Sequence, residues 1–190
     1  DGASHENVFK KVSEMDDLLG YLLEQLNNLE IISNLNILLL SDHGMVDVNK
    51  KRLIVLDEYI DNIENYDIYG EGAYVQIDPK DDYRFNEEDF EDQISKIPSI
   101  KFWDSNKIPK RFHFNNDNVG SYLLLADEGW FITLASSLKG KSLPVSGMHG
   151  YDPNLESMHG IFYAYGRNIQ PGLKISKFEN IHIYPLICKL

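Results

Sequence analysis

Leu35-Asn36-Ile37-Leu38-Leu39-Leu40-Ser41-Asp42-His43-Gly44 is an apolar run that stops abruptly in small and polar residues. The run is too short for a helix of its own and has the length of a buried strand. Before it, Val8, Val12, Met15, Leu18, Leu19, Leu22, Leu23 and Leu26 recur at helical spacing, which predicts a long amphipathic helix. Asn27-Asn28 and Ser33-Asn34 punctuate its end. Helix, short loop and buried strand make an α/β unit, and the strand is expected to run parallel to its neighbours. Ligands and catalytic groups of open α/β sheets gather beyond the carboxyl ends of strands. Asp42 and His43 therefore stand where chemistry is expected.

Outward from this unit the pattern stays mixed. Arg52–Leu56 and Ala73–Ile77 read as strands, the second entered through Gly70 and Gly72. Glu87–Ile97 reads as a helix capped by Asn86 and closed before Pro98. Phe112–Phe114, Tyr122–Ala126 and Trp130–Thr133 read as strands, the last two expected as a hairpin around Asp127-Glu128-Gly129. A Gly/Ser/Pro-rich loop is expected from Ser136 to Gly150, then a short strand at Ile161–Ala164 and a terminal helix from Asn180. There are no repeats and no clear linker, so one domain is expected over the 190 residues.

Composition excludes some functions. Hydrophobic residues make up 43% and charged residues 25%, ordinary for a globular protein. No apolar run approaches the roughly 18–20 residues of a spanning helix, and no basic segment precedes an apolar signal-like core. The net charge is −12, from 30 acidic against 18 basic residues, and no Lys/Arg stripe could neutralise a nucleic-acid duplex. Much of the acid lies in Asp78–Asp92, which reads as a solvated loop and helix start. An acidic enzyme acting on phosphates needs local positive charge, which bound metal ions can supply. Cys188 is the single cysteine, so no internal disulfide forms.

An Asp carboxylate and a neutral imidazole are ligands that Zn²⁺ accepts, at about 2.0–2.2 Å. Adjacent residues share one ion only where the backbone turns sharply, because neighbouring side chains of a regular strand point to opposite faces. Gly44 is expected to permit that turn. The plainer reading of the dipeptide is an Asp capping the next turn beside a surface His. His149, in Gly147-Met148-His149-Gly150-Tyr151-Asp152, is flanked by glycines that allow close approach to a metal or phosphate; its plainer reading is a loop histidine. The two sites gain meaning together, since zinc gathers three or four ligands from distant segments. His159 and His182 lie in apolar contexts and read as core or boundary histidines; His113 alternates with Phe112 and Phe114 as a strand residue. No nucleophile elbow, P-loop, dinucleotide fingerprint or Cys-x-x-Cys pair is present.

Ser41-Asp42-His43-Gly44-Met45 after an apolar strand, with His149-Gly150-Tyr151-Asp152 about a hundred residues later, resembles the nucleotide pyrophosphatase/phosphodiesterase family of the alkaline phosphatase superfamily. The resemblance extends in order over nearly the whole chain. It includes Val12–Gly20, Pro109-Lys110-Arg111-Phe112-His113, Ser157–Phe162, Phe178–Ile181 and Tyr184-Pro185-Leu186. It implies an α/β fold, here an incomplete alkaline-phosphatase-like sheet sandwiched by helices. It also implies two zinc ions and a small-molecule phosphodiester or pyrophosphate substrate, cleaved through a covalent phospho-threonine. On this resemblance Asp42 and His43 hold the zinc that also binds the nucleophile, and His149 holds the other. An extracellular, cell-surface or periplasmic setting is implied as well.

The same resemblance puts the nucleophilic threonine and the remaining ligands before the first residue of this chain, which makes 1–190 the C-terminal part of a catalytic domain, expected to be inactive alone. Asp1 and His5 have the D-x-x-x-H spacing of a zinc pair. An ungapped placement of the helix sets Gly2-Ala3 on the Gly-Pro that follows the family's pair, which marks Asp1 and His5 as a coincidence. Pro153 and Gly166-Arg167 depart from the family pattern without touching a ligand position.

Overall fold

The computed structural model describes residues 2–114, 116, 118–138 and 146–190. Asp1, Asn115, Asp117 and the middle of the expected Ser136–Gly150 loop (139–145) lie outside the described residues. In chain order the elements are α1 (Glu6–Asn28), β1 (Asn36–Leu40), β2 (Val46–Asp47), β3 (Leu53–Val55), β4 (Tyr66–Tyr69) and β5 (Tyr74–Pro79). There follow α2 (Glu87–Ser95), β6 (Ile100–Asp104), β7 (Tyr122–Ala126), β8 (Phe131–Thr133), α3 (Ala135–Leu138), β9 (Gly147–Met148), β10 (Phe162–Gly166) and α4 (Ile183–Lys189). The mixed α/β class read from the sequence is the class observed. The chain divides into two compact units: His43–His159 with the residues up to Val8, and Phe9–Asp42 with Gly160–Leu190.

The first unit is built on an antiparallel sheet of order β4-β5-β7-β6. Its central strand, Tyr122-Leu123-Leu124-Leu125-Ala126, is buried at every position, as a strand covered on both faces must be. Val75 and Ile77 of β5 and Leu124 of β7 meet Phe90 and Ile94 of α2 in one core with Ile54, Leu56, Ile60 and Ile132. Helix α2 starts where the sequence reading placed it. The Asn86 side chain accepts the Asp89 N–H at 3.3 Å, and Glu87, Glu88 and Asp89 fill the first turn, where the helix dipole favours negative charge. Phe90, Gln93 and Ile94 form its buried face, the i, i+3, i+4 stripe of an amphipathic helix. Buried Gln93 is satisfied: its oxygen accepts the Asp61 N–H at 2.7 Å and its amide donates to Asp89 at 2.8 Å. Phe90 also meets the rings of Tyr66 and Tyr122 at 5.0 and 4.8 Å.

Three expectations change here. Tyr122–Ala126 and Phe131–Thr133 do not form a hairpin. Both edges of β7 are taken by β5 and β6, so β8 runs instead in parallel beside β3, with Leu53 opposite Phe131. Phe112–Phe114 is not a strand either. Lys110–Phe112 is a 3-10 turn, and His113 follows it at φ 50°. The two phenyl rings serve different neighbours, Phe112 against Trp103 and Phe114 against Tyr74, so their alternation did not mark one sheet face.

The second unit carries α1, the β1–β10 ladder and α4. Strand β1 is antiparallel to β10, from Asn36 opposite Gly166 to Leu40 opposite Phe162, where a parallel partner was expected. Among the described residues β10 is its one partner, and β10 returns along β1 in the opposite sense. No residue of this unit is buried. Phe9 and Tyr163 are 72% and 66% exposed, and Met15, Leu18, Tyr165 and Tyr184 are likewise open. No helix among the described residues is long and apolar enough to cross a membrane.

Candidate active site

Strands β2 and β9 form a short antiparallel ribbon, with Val46 opposite Met148 and Asp47 opposite Gly147. Its ends carry His43, three residues before Val46, and His149, directly after Met148. The ribbon thus joins two segments far apart in sequence, and the two imidazoles stack with centroids 3.7 Å apart and planes 18° apart. His43 Nδ1 lies 2.8 Å from the carbonyl oxygen of Gly44. With its proton on Nδ1, His43 donates to that carbonyl, and Nε2 is the nitrogen that carries the lone pair.

Gly44 serves a different purpose from the one its sequence suggested. Its φ is not positive; the need is space. A Cβ at this position would stand 2.0 Å from the carbonyl oxygen of Ser157, and the Gly44 N–H donates to the Met158 carbonyl at 3.0 Å. The segment after His43 is therefore pressed against the backbone of Ser157-Met158. Gly150 is the residue with left-handed backbone, at φ 95°, which only glycine adopts without strain.

Beyond Gly150 the chain is fixed twice. Tyr151 is buried and its hydroxyl donates to the Trp130 carbonyl at 2.7 Å. Asp152 accepts both guanidinium N–H groups of Arg111, each at 2.6 Å. The Arg111 guanidinium holds the Asp152 carboxyl below its ordinary value, and Asp152 raises Arg111 in turn. Burial pushes the Tyr151 phenol up to about 12. Arg111, Tyr151 and Asp152 were visible in the sequence as parts of ordered motifs, but nothing there said that they touch or anchor the His149 loop.

The remaining candidates are placed as follows. Asp42 is exposed and is the last residue of its segment in the second unit, while His43 opens the first. His5 lies at the start of α1, where its Nδ1 accepts the Asn7 N–H at 3.1 Å. His159 is half-buried with Nε2 3.2 Å from the Pro153 carbonyl oxygen, and His182 is exposed beside Glu179 at 3.8 Å. Among the described residues, no three His, Cys, Asp or Glu side chains converge as a metal-holding group.

A family model described as type I phosphodiesterase/nucleotide pyrophosphatase matches residues 2–152. The chain belongs to this family. Among curated relatives, human bis(5'-adenosyl)-triphosphatase ENPP4 is 34% identical over 187 residues, covering 97% of this chain and 39% of that protein. Human ectonucleotide pyrophosphatase/phosphodiesterase 5 superposes with a TM-score of 0.86 at 28% identity, over 99% of this chain and 49% of that one. An inactive variant of the murine counterpart, solved in complex with AMP, gives a TM-score of 0.74 at 32% identity over 86% of this chain and 42% of that one. These likenesses assign the chain the alkaline-phosphatase-like fold of the solved structures. It spans about two fifths of the length of the first of these relatives.

Proposed function

We propose that this chain supplies the C-terminal part of the catalytic domain of a metal-dependent phosphodiesterase or nucleotide pyrophosphatase. In this reading Asp42 and His43 hold one zinc ion and His149 holds a second. The observation that carries it is the His43–His149 stack. An imidazole ligates in its own plane, and two nearly parallel rings with centroids 3.7 Å apart share no in-plane point about 2.0–2.1 Å from a nitrogen of each. One ion therefore does not suit both rings. One ion on each ring removes that conflict, as in two-metal hydrolases, which hold their ions roughly 3.5–4 Å apart. The donor set, one carboxylate and two imidazoles, is of the kind zinc takes.

When bound, such a pair of ions supplies Lewis-acid stabilisation of the oxygens around the attacked phosphorus. The chain's own contribution is to orient the imidazoles: Gly44 accepts from His43, and the β2–β9 ribbon sets His149 beside it. The nucleophile in this reading is a threonine upstream of residue 1, which forms and then loses a covalent phosphoryl or nucleotidyl ester. The bis(5'-adenosyl)-triphosphatase name of one relative and the AMP complex of another favour a nucleotide substrate over a choline or lipid headgroup. The ectonucleotide pyrophosphatase/phosphodiesterase name of the human family member 5 favours an extracellular or cell-surface setting. In the complete protein, Asp42→Ala and His149→Ala are expected to abolish turnover of a nitrophenyl phosphodiester and to lower zinc content. Wild-type turnover with full zinc in either variant would remove that residue from the ligand set.

A further inference from the structure

Two residues, Gly150 and Tyr151, separate His149 from Asp152, and Gly150 has φ 95°. A glycine in this position gives the loop wide backbone freedom, so His149 keeps its place only if the chain beyond it is held. The structure holds it at two points. Tyr151 is tied to the Trp130 carbonyl just before β8, and Asp152 is tied in bidentate fashion to Arg111. Arg111 is itself fixed. Its guanidinium lies 4.1 Å above the Phe112 ring, and Phe112 packs edge-on against Trp103 of β6 at 5.6 Å. Asp152 also accepts the Asn154 N–H at 3.0 Å, and its carboxylate has Lys101 4.0 Å away.

We propose that Arg111 is a positioning residue, which acts through Asp152 to hold the His149 imidazole in its stacked place beside His43. The relay runs from the Trp103–Phe112 ring pair to the Arg111 guanidinium, then to the Asp152 carboxylate and back along the chain to His149. Its geometry suits Arg alone: a planar fork meets both carboxylate oxygens, whereas a lysine ammonium meets them as a point charge. The Asp152 side chain is only 15% exposed and the pair is bidentate, the geometry in which an ion pair contributes more than an ordinary surface contact. Metal-ligand orientation tolerates about 0.5 Å of play, so loosening this one contact should reach the metal centre without any ligand being removed.

The inference rests on the proposed zinc site, and the test separates the two. In the complete protein, Arg111→Gln, Arg111→Lys, Asp152→Asn and the Arg111→Gln/Asp152→Asn pair are compared with wild type. Zinc affinity is measured by competition with a chelator, the visible spectrum after cobalt substitution is recorded, and thermal melts are run on the metal-free protein. Wild type is expected to bind two ions. Arg111→Gln and Asp152→Asn should each weaken the ion held by His149 by about 10–100-fold and change the cobalt spectrum. The double variant should lose no more than either single one, and Lys should rescue only part of the loss. Unchanged affinity and spectrum, with only a lower melting temperature, would reduce Arg111 to a structural residue and overturn the proposal while leaving the zinc site standing. A wild-type protein that binds no metal would overturn both. Should Arg111→Gln fail to fold, Arg111→Lys carries the same comparison, and unchanged metal binding in that variant overturns the proposal.

Discussion

His43 and His149 stack face to face, 3.7 Å between ring centroids, although more than half the chain separates them in sequence. Neutral imidazoles accept this arrangement; two imidazolium rings repel across it. In the two-ion reading each ring serves its own ion. In the complete protein, His43→Ala and His149→Ala are accordingly each expected to lower bound zinc from two equivalents toward one. Elemental analysis after gel filtration checks this. Complete loss of zinc from both single variants would argue for one shared ion.

Gly44→Ala should be destabilising out of proportion to one methyl group. The new Cβ would meet the Ser157 carbonyl oxygen at 2.0 Å, and backbone on both sides must shift to relieve it. A cost of about 1–3 kcal/mol is expected, read from the urea midpoint. Gly20→Ala is the control, because nothing lies within 4 Å of a Cβ there. That helical change should be neutral or stabilise by up to ~1 kcal/mol.

Phe90 anchors α2 to the four-stranded sheet and is 1% exposed. Phe90→Ala removes a ring shared with Tyr66 and Tyr122 and should cost about 3–5 kcal/mol. Chemical denaturation followed by circular dichroism measures it. A loss under about 1 kcal/mol would mean that α2 is not packed on the sheet as described.

Three buried tyrosines fix the alkaline limit of stability. Burial raises Tyr66 and Tyr122 above the ordinary 10.0 and Tyr151 to about 12. A group whose pKa is raised on folding contributes its stability in full below the unfolded value. That contribution is lost as pH climbs through the folded value. Stability should thus hold to about pH 10 and fall toward pH 12. Absorbance near 295 nm should show these three of the 11 tyrosines ionising only with unfolding. Ionisation of all 11 as one class near pH 10, with the fold intact, would contradict the burial.

The second unit exposes Phe9, Val12, Met15, Leu18, Tyr163 and Tyr165 and buries nothing. Apolar surface of this extent promotes association. The 190-residue chain by itself should bind a hydrophobic dye and sediment as a concentration-dependent mixture. It should also show no phosphodiester turnover. Monodisperse behaviour without dye binding, or turnover at family-like rates, would contradict the reading of 1–190 as part of a larger domain.

Local patterns in the sequence were sufficient for the long helix α1, the strand ending at Leu40, the Asn86 cap of α2 and the candidate ligands Asp42, His43 and His149. Each follows from periodicity, turn chemistry or an ordered motif, all written within a few residues. Which strands meet was not so written. Strand β8 left its expected hairpin because β7 had no open edge, and β1 met an antiparallel partner 130 positions away at its first residue pair, Asn36 opposite Gly166 in register. Pairing is decided by edges that exist only once other strands are in place. The same holds for the site. The sequence set His43 and His149 in separate glycine-marked loops, whereas their stacking, the Ser157 carbonyl that forbids a side chain at 44, and the Arg111–Asp152 contact arise from long-range packing. The proposed ligand chemistry resided in residue identity. Its geometry came from the ribbon and the anchors that hold it.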